Sequence, residues 1–589
     1  MFVKLYDELI ALNNETRTMS SLQKNIFIIS FFFILFIVWN SFYKDIKIST
    51  NISNFQDENN SIERTFKSEH INNNFKIDNK YDRKKNVYKY YYNKKNSKYI
   101  ILSNDVISIV LNKNNGTINK VYLLKYSDHL GSNSPFCLLD KQSDFIYQAS
   151  EGLILKKDGK ITNLKLDITN KQNAFNRRVF FSTNPSKTEL RIPFTWIDLF
   201  TGVEYKKTFI LYLGKYFIEI ENTVLNNSGK AIDISFFNEL KQTVNIPINY
   251  ANNNLNFNKD SFSSQKYRSI AYSTDLEKYK KSSLNTINDK IVSEKTKHGW
   301  IAMIRKYFVA AWIPKISKMN NNIIYTNNKT NNILTLGYES EPVHLLPNKS
   351  FTFVSKLWTG PSIQNKMLEL APNLDLTLDY GYLWFISKPL FYILSLLHFF
   401  IGNWGWSIVF LTIFIRSLMY PLAKSQYISM EKVKLIQPKI DLIKTKYKND
   451  KQKMSKEIIK LYNLEKINPF GGCLPIIVQM PIFLGLYYML VNSVELRHAP
   501  FLLWINDLSD RDPYFIFPIF MGYTMWIIQR SSSNEDTESV QKHITNLVPI
   551  LFTLCFLYFP SGLVLYYITS NIFTILQQKI ISLELNNKS

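Results

Sequence analysis

The chain has 589 residues, 46% of them hydrophobic, with 71 lysines and arginines against 47 acids and a formal net charge of +24. Apolar residues gather near the N-terminus and in the last third, which marks a membrane protein with a large soluble portion and excludes a purely soluble or disordered chain. The surplus of Lys, Asn, Ile and Tyr runs through every region, so the basic charge is read through membrane topology and implies no DNA partner.

Residues 1–25 precede a near-continuous apolar helix, 26–43, that follows Lys24 and ends in Trp39, Phe42 and Tyr43. Its length suits a membrane span, and no small-residue cleavage site follows, so an uncleaved signal anchor is expected. Residues 44–98 are rich in Asn, Lys, Ser and Tyr, the composition of a solvated tether.

Over 99–372 the period changes to two. Ile218 and Ile220 alternate with Glu219 and Glu221, and Ile232, Ile234 and Phe236 alternate with Asp233 and Ser235. The turn Asn226-Asn227-Ser228-Gly229 predicts a hairpin between these runs. Further strand signals stand at Ile107 to Leu111, followed by Asn115-Gly116, and at Phe351 to Leu357. An all-β sandwich is expected, large enough for its own core. No paired carboxylates or histidines stand at a catalytic spacing, which favours a scaffold or docking role over sugar or peptide binding.

Residues 373–402, with Trp384, Phe385, Phe391 and His398, read as an interfacial helix on the outer leaflet, closed by the Gly402-Asn403-Trp404-Gly405 break. The first core span, 403–422, carries Arg416. A cation within a span costs about 2.5 to 3.5 kcal/mol on insertion scales, so Arg416 is a functional-site candidate. The competing reading, a guanidinium that snorkels past Pro421 to the lysine-rich flank, stays open.

Between Pro421 and Phe470 lie twelve lysines and five acids, which places 423–470 in the cytoplasm and the β region on the opposite face. Within it Val433, Ile436, Ile440, Ile443 and Tyr447 recur at spacings of 3, 4, 3 and 4, and Met454, Ile458 and Leu461 repeat the pattern. Two antiparallel helices follow, with Asp450 as N-cap of the second. Lys432, Lys434, Lys439, Lys444 and Lys446 suit either an arm on anionic lipid or a docking arm for an acidic partner such as ribosomal RNA.

The next spans are 472–491, with Pro475, Gln479 and Pro481, and 513–529. After a polar connector comes an apolar run from Leu547 to Leu576, broken by Pro560-Ser561-Gly562. As one helix it would be about 45 Å long against a hydrocarbon core of about 30 Å, so two short spans are expected, 547–559 and 562–578, before a tail at 579–589. That gives six spans with both ends cytoplasmic, or five if the run is one kinked helix. Cys137, Cys473 and Cys555 lie far apart, the seven histidines are dispersed, and no Gly-rich phosphate loop exists. No metal, cofactor or catalytic residue is expected.

The runs Asn403-Trp404-Gly405, Asn468-Pro469-Phe470-Gly471-Gly472-Cys473, Gln479-Met480-Pro481-Ile482-Phe483, Ser493-Val494-Glu495-Leu496-Arg497 and Phe559-Pro560-Ser561-Gly562-Leu563-Val564-Leu565-Tyr566-Tyr567 resemble the YidC, Oxa and Alb family of membrane protein insertases. The likeness extends to Phe145-Ile146-Tyr147-Gln148-Ala149 and to Leu374-Asp375-Leu376-Thr377-Leu378-Asp379-Tyr380-Gly381, and covers nearly the whole chain from Met19, which is an alternative start to Met1. The outer domain resembles the Gram-negative form. The resemblance implies a membrane α-helical bundle, an insertase core with a cytoplasmic helical hairpin, plus an all-β periplasmic supersandwich similar to sugar mutarotases. It implies a hydrophilic groove in the bacterial inner membrane with Arg416 as the groove arginine, Thr412 one turn before it, and Gln479, Tyr566, Tyr567 and Ser570 lining or facing it. Implied partners are nascent membrane proteins, the Sec translocon, the ribosome and membrane lipids, although the tail after Lys579 offers few charges for ribosome docking. Two rivals differ in class. A secondary transporter would show internal repeats, and none is found. A membrane-tethered sugar-modifying enzyme would need an acid/base pair in the β domain.

Overall fold

The structure is a computed structural model and describes residues 98–141, 145–157, 160–163, 179–181, 189–198, 202–244, 268–284, 293–315, 322–329, 332–447, 450–465, 474–532 and 539–586. The expected signal anchor, nearly all of the tether and the Asn468-to-Cys473 run lie outside the described residues. The chain divides into two units: one holds the described residues up to Asp379 with Asn492–Glu495, the other Tyr380–Val491 and Leu496–Ser589.

The first unit is the expected all-β domain. Its strands are β1 Tyr99–Ser103, β2 Ile107–Asn112, β3 Ile118–Ser127, β4 Pro135–Lys141, β5 Ile146–Lys157, β6 Lys160–Asn163, β7 Val179–Phe181, β8 Glu189–Ile197, β9 Val203–Tyr212, β10 Phe217–Asn226 and β11 Ile232–Thr243. They continue with β12 Ser269–Ser273, β13 Lys280–Ser283, β14 Ser293–Thr296, β15 Trp300–Arg305, β16 Phe308–Pro314, β17 Asn322–Lys329, β18 Ile333–Ser340, β19 Val343–Leu345 and β20 Ser350–Pro361. Among the described residues one sheet has the order β14-β17-β18-β11-β5-β4-β3-β2-β1-β7, with β19 beside β11 and β6 beside β5; the other runs β13-β12-β15-β16-β20-β10-β9-β8. A short helix, α1 Gln364–Leu368, follows β20. The alternation read in the sequence is what fills the space between the sheets, because successive strand residues point to opposite faces. Every second residue of β10 is buried, and Trp300, Trp312, Trp358, Tyr205 and Phe236 are fully enclosed.

One expectation is corrected. The Asn226-to-Gly229 turn does not close a hairpin, since β10 lies in the smaller sheet and β11 in the larger. It carries the chain from one layer to the other. The reason is Asn226, which has no exposed surface: its amide donates to the carbonyls of Lys230 (2.8 Å) and Leu345 (2.9 Å), while its carbonyl accepts from Ser228 N (3.0 Å). Those bonds satisfy a bend that has no ladder of its own. The Asn115-Gly116 turn, by contrast, does join paired strands β2 and β3.

The second unit is helical: α2 Trp384–Ile401, α3 Trp404–Leu418, α4 Tyr420–Lys446, α5 Lys451–Leu464, α6 Leu474–Asn492, α7 Ile516–Ser532, α8 Ser539–Phe556 and α9 Ser561–Asn586. The 373–402 stretch is two 3-10 turns, Leu374–Thr377 and Gly381–Leu383, before α2. By length and composition α2 could cross a membrane alone, and α3 does so only together with the start of α4, across a 61° bend at Met419. The polar connector after α7 is helical from Ser539 onward, and the apolar run falls in two helices, Ser539–Phe556 and Ser561–Asn586, on either side of Pro560. The hairpin core matches the 3, 4 spacing: Ile436 and Ile440 of α4 pack with Met454 and Ile458 of α5, flanked by Val433, Ile443, Tyr447 and Leu461. Asp450 caps α5, accepting from Lys453 N at 3.1 Å.

Candidate functional site

Three helices position the candidate residues. Gly402, at φ +75°, ends α2 in the left-handed conformation that favours glycine, and its N–H closes on His398 O at 2.8 Å. Asn403 then caps α3, accepting from Trp406 N at 3.1 Å. Two residues on, Gly405 lies against the Phe501 ring, which leaves no room for a Cβ.

Along α3 the hydroxyls of Ser407 and Thr412 donate to the carbonyls of Asn403 (2.8 Å) and Ile408 (2.7 Å), four residues back. Both side chains are fully enclosed. Thr412 therefore stands one turn from Arg416 as a satisfied interior residue. Arg416, half-buried in the last turn, donates from Nε to Ser570 Oγ of α9 at 2.7 Å and also from Nη2 to the same oxygen. Its carbonyl accepts from Gln577 Nε2 at 3.2 Å. Among the described residues no carboxylate lies within ion-pair distance of Arg416.

On α6, Gln479 Nε2 donates to Tyr566 OH of α9 at 2.6 Å, while Gln479 Oε1 is buried without a partner. Tyr566 is 1% exposed and, with Tyr567, is close enough to Arg416 to interact with its charge. Tyr567 packs edge-on to Phe483 (5.2 Å) and Phe556 (4.9 Å). The structure thus gathers Arg416, Ser570, Tyr566, Tyr567 and Gln479, joined through α9. A charge and several neutral hydrogen-bonding groups inside an apolar bundle can hold water or meet an anion; they cannot run general acid/base chemistry at neutral pH.

The hairpin lysines are placed separately. Lys432 is exposed, Lys439 pairs with Glu465 across the hairpin at 2.7 Å, Lys444 pairs with Asp441 at 3.2 Å, and Lys446 lies 5.6 Å from the Tyr447 ring. Lys434 stands on α4 between them. Such surface pairs are weak and leave the lysines available to a polyanion.

The family model described as 60Kd inner membrane protein matches residues 396–588, and the one described as YidC periplasmic domain matches residues 100–393. The membrane protein insertase YidC of Buchnera aphidicola subsp. Acyrthosiphon pisum (strain 5A) is 45% identical over 561 residues, 95% of this chain and 98% of that one. The chain belongs to the YidC family of membrane protein insertases. The YidC of Buchnera aphidicola subsp. Baizongia pistaciae (strain Bp) is 43% identical over 96% of this chain and 99% of its own. A solved structure described as an active YidC insertase with its first transmembrane domain resolved covers 82% of this chain and 92% of that chain, at 16% identity and a TM-score of 0.35. As a YidC family member the chain is a non-enzymatic insertase of the inner membrane, and its β unit is the periplasmic domain. The transporter and sugar-modifying readings fall away.

Polar residues missed by sequence reading sit beside the family's core helices. Asn571 Nδ2 donates to Thr524 Oγ1 of α7 at 3.0 Å, both buried. Gln577 was legible in principle, because Tyr566, Ser570 and Gln577 are spaced by four and seven and share one helix face. Nothing in α7 marks Thr524.

Proposed function

We propose that Arg416, Ser570, Tyr566, Tyr567 and Gln479 form a hydrophilic groove along which the polar or acidic flank of a nascent membrane protein crosses the bilayer, with Arg416 as its transient counter-charge. The observation that supports this is a guanidinium whose side-chain contacts, among the described residues, go to a neutral hydroxyl and to no carboxylate. Arg416 carries five N–H donors, and Ser570 Oγ engages only Nε and Nη2, so donors remain for a client carboxylate. The client's apolar helix slides past the lipid-facing side, and burial of its apolar surface at about 25 cal/mol per Å² drives completion without fuel or cofactor. On this reading the hairpin and both termini are cytoplasmic, α2 lies at the outer leaflet, and clients arrive from the ribosome directly or beside the Sec translocon, with the hairpin lysines meeting lipid headgroups or an acidic partner.

Arg416→Lys, Arg416→Ala and Arg416→Glu test the reading. With clients bearing an acidic translocated flank, Lys should retain insertion, Ala should weaken it and Glu should be worst. A client lacking acids in that flank should be less sensitive to Ala. Wild-type rates for both clients in all three variants, at matched expression, would mean that Arg416 only snorkels.

A further inference from the structure

Between α6 and α7 the chain makes a loop with an apolar tip. Over residues 499–506 it carries no charge, and at the tip Leu503 is 85% and Leu502 46% exposed. Leu503 holds φ +55°, a left-handed conformation that a bulky side chain adopts against its own sterics. Two bonds close the turn, from Phe501 N to Ile505 O at 2.9 Å and from Ile505 N to Leu502 O at 3.1 Å, while among the described residues the peptide groups of Leu503 have no partner. The base of the turn is tied down. Asn403, the cap of α3, donates to Pro500 O at 3.2 Å, and the Phe501 ring lies on Gly405 and meets Trp406 edge-on at 5.5 Å. Ser561 and Gly562, at the start of α9, donate to Asp507 O (2.8 Å) and Leu508 O (3.0 Å). The loop follows Asn492, the last residue of α6, which belongs with the periplasmic unit and donates to its Asp379 O at 2.7 Å.

Backbone strain persists only where the surroundings hold it, and here it turns leucines outward. The tip offers no charge to a partner protein, and the surfaces it adjoins are apolar helix faces: Trp406, Phe410 and Phe414 follow at spacings of four along α3, and Ile519 and Phe520 stand on α7, all exposed. An inner-membrane protein turns such faces, with their aromatic rings, to lipid. We propose that the 501–505 turn is a bilayer anchor in the periplasmic leaflet: Leu502 and Leu503 seat at the boundary of headgroups and acyl chains, and Phe501 and Asn403 pass that depth to the start of α3. The open peptide groups of Leu503 limit the depth, because hydrocarbon leaves them unsatisfied whereas the boundary still holds water. With α3 near the bilayer normal, Arg416, eleven residues after Gly405, then lies about 16 Å along the helix, near the middle of a hydrocarbon core about 30 Å thick.

The seat is tested in the full chain with its native cysteines replaced, carrying Leu503→Cys labelled with a nitrobenzoxadiazole probe, in vesicles of phosphatidylethanolamine and phosphatidylglycerol. Emission should shift to the blue relative to the urea-denatured chain, and nitroxide lipids should quench it, a nitroxide near the headgroup more than one near the chain end, with little quenching by aqueous iodide. A probe open to iodide and untouched by nitroxide lipids would overturn the anchor. So would one shielded from both, which assigns the tip to a contact between copies of the chain, and so would one quenched best near the chain end. For the depth of α3, the same probe at Phe410→Cys is compared with and without Leu502→Asn and Leu503→Gly. Glycine suits φ +55°, so this variant loses the apolar side chains without straining the turn. The ratio of quenching near the headgroup to quenching near the chain end should rise in it as the start of α3 moves outward; an unchanged ratio would overturn the passing of depth to α3. Both measurements read depth and not insertion, so they stand apart from the role of Arg416.

Discussion

Lys207 of β9 and Glu151 of β5 meet between the sheets at 2.7 Å, 3% and 4% exposed. Asn222 donates to Glu151 at 3.2 Å and accepts from Tyr205 OH at 2.5 Å, and Lys207 also donates to Gly116 O at 3.2 Å. Removing one partner strands a buried charge at a cost of about 3–5 kcal/mol, whereas replacing both by apolar side chains of similar volume is near neutral. Glu151→Leu should therefore lower the unfolding free energy of the periplasmic domain by that amount, and adding Lys207→Met should restore most of it, as read by urea titration of tryptophan fluorescence. Equal losses in the single and double variants would assign the effect to packing. Glu495 gives a pH dependence of known sign. Burial pushes its carboxyl up to about 7, while an unfolded glutamate titrates near about 4.3. Between those values the folded state holds the proton that the unfolded state has lost, so this group's contribution to stability declines as pH rises from about 4.3 to 7. Glu495→Gln should flatten the fall in melting temperature between about pH 5 and 7; an unchanged slope would place the titrating group elsewhere.

At the scale of elements, Asp512 holds the start of α7. It is 1% exposed and accepts from Trp504 Nε1 (3.0 Å), Tyr514 N (3.0 Å) and Phe517 N (2.7 Å). Asp512→Ala leaves three donors without an acceptor, a loss of about 1–3 kcal/mol, and should speed amide exchange at Tyr514 and Phe517 while leaving α5 unchanged. Uniform acceleration across all helices would point to global unfolding instead. The hairpin of α4 and α5 was legible because its signal is local: the 3, 4 spacing of Val433 to Tyr447 is one helix face, and the same residues form the core. Asn226-to-Gly229 misled because a turn sequence states that the chain bends and not which strand it bends toward; the burial of Asn226 decides that. Arg416 announced itself as a charge in an apolar run, yet its partner Ser570 lies 154 positions away. Such pairings, like Asn571 with Thr524, arise only when helices pack.

For the whole molecule the topology is testable with single cysteines in a chain lacking the native three. Positions within Thr195 to Thr223 and near Glu495 should label from outside, and Lys444 or Ser532 from inside; outside labelling at Lys444 would reverse the orientation. Removal of about Tyr99 to Asn348, keeping Trp384, should leave insertion of a small client largely intact, since no reaction chemistry resides in the β domain. Loss of insertion with the truncated chain stably in the membrane would give that domain a direct part in the step. The bend at Met419 has a mechanical meaning. Helix α4, 27 residues from Tyr420 to Lys446, is an arm about 40 Å long. Its root is tied to α9 by the Lys424–Glu584 pair and, just before the bend, by Gln577 on Arg416 O. A pull at the tip has two outlets, flexing at Met419 or turning the last turn of α3. In the second, a tip displacement of about 10 Å rotates the root by roughly 15° and carries atoms about 5 Å from the pivot through about 1 Å, enough to part a guanidinium from the hydroxyl it holds. Where Met419 holds its angle the arm is a lever with its fulcrum beside the charge, and a grip on the hairpin then bears on the hold of Ser570 on Arg416.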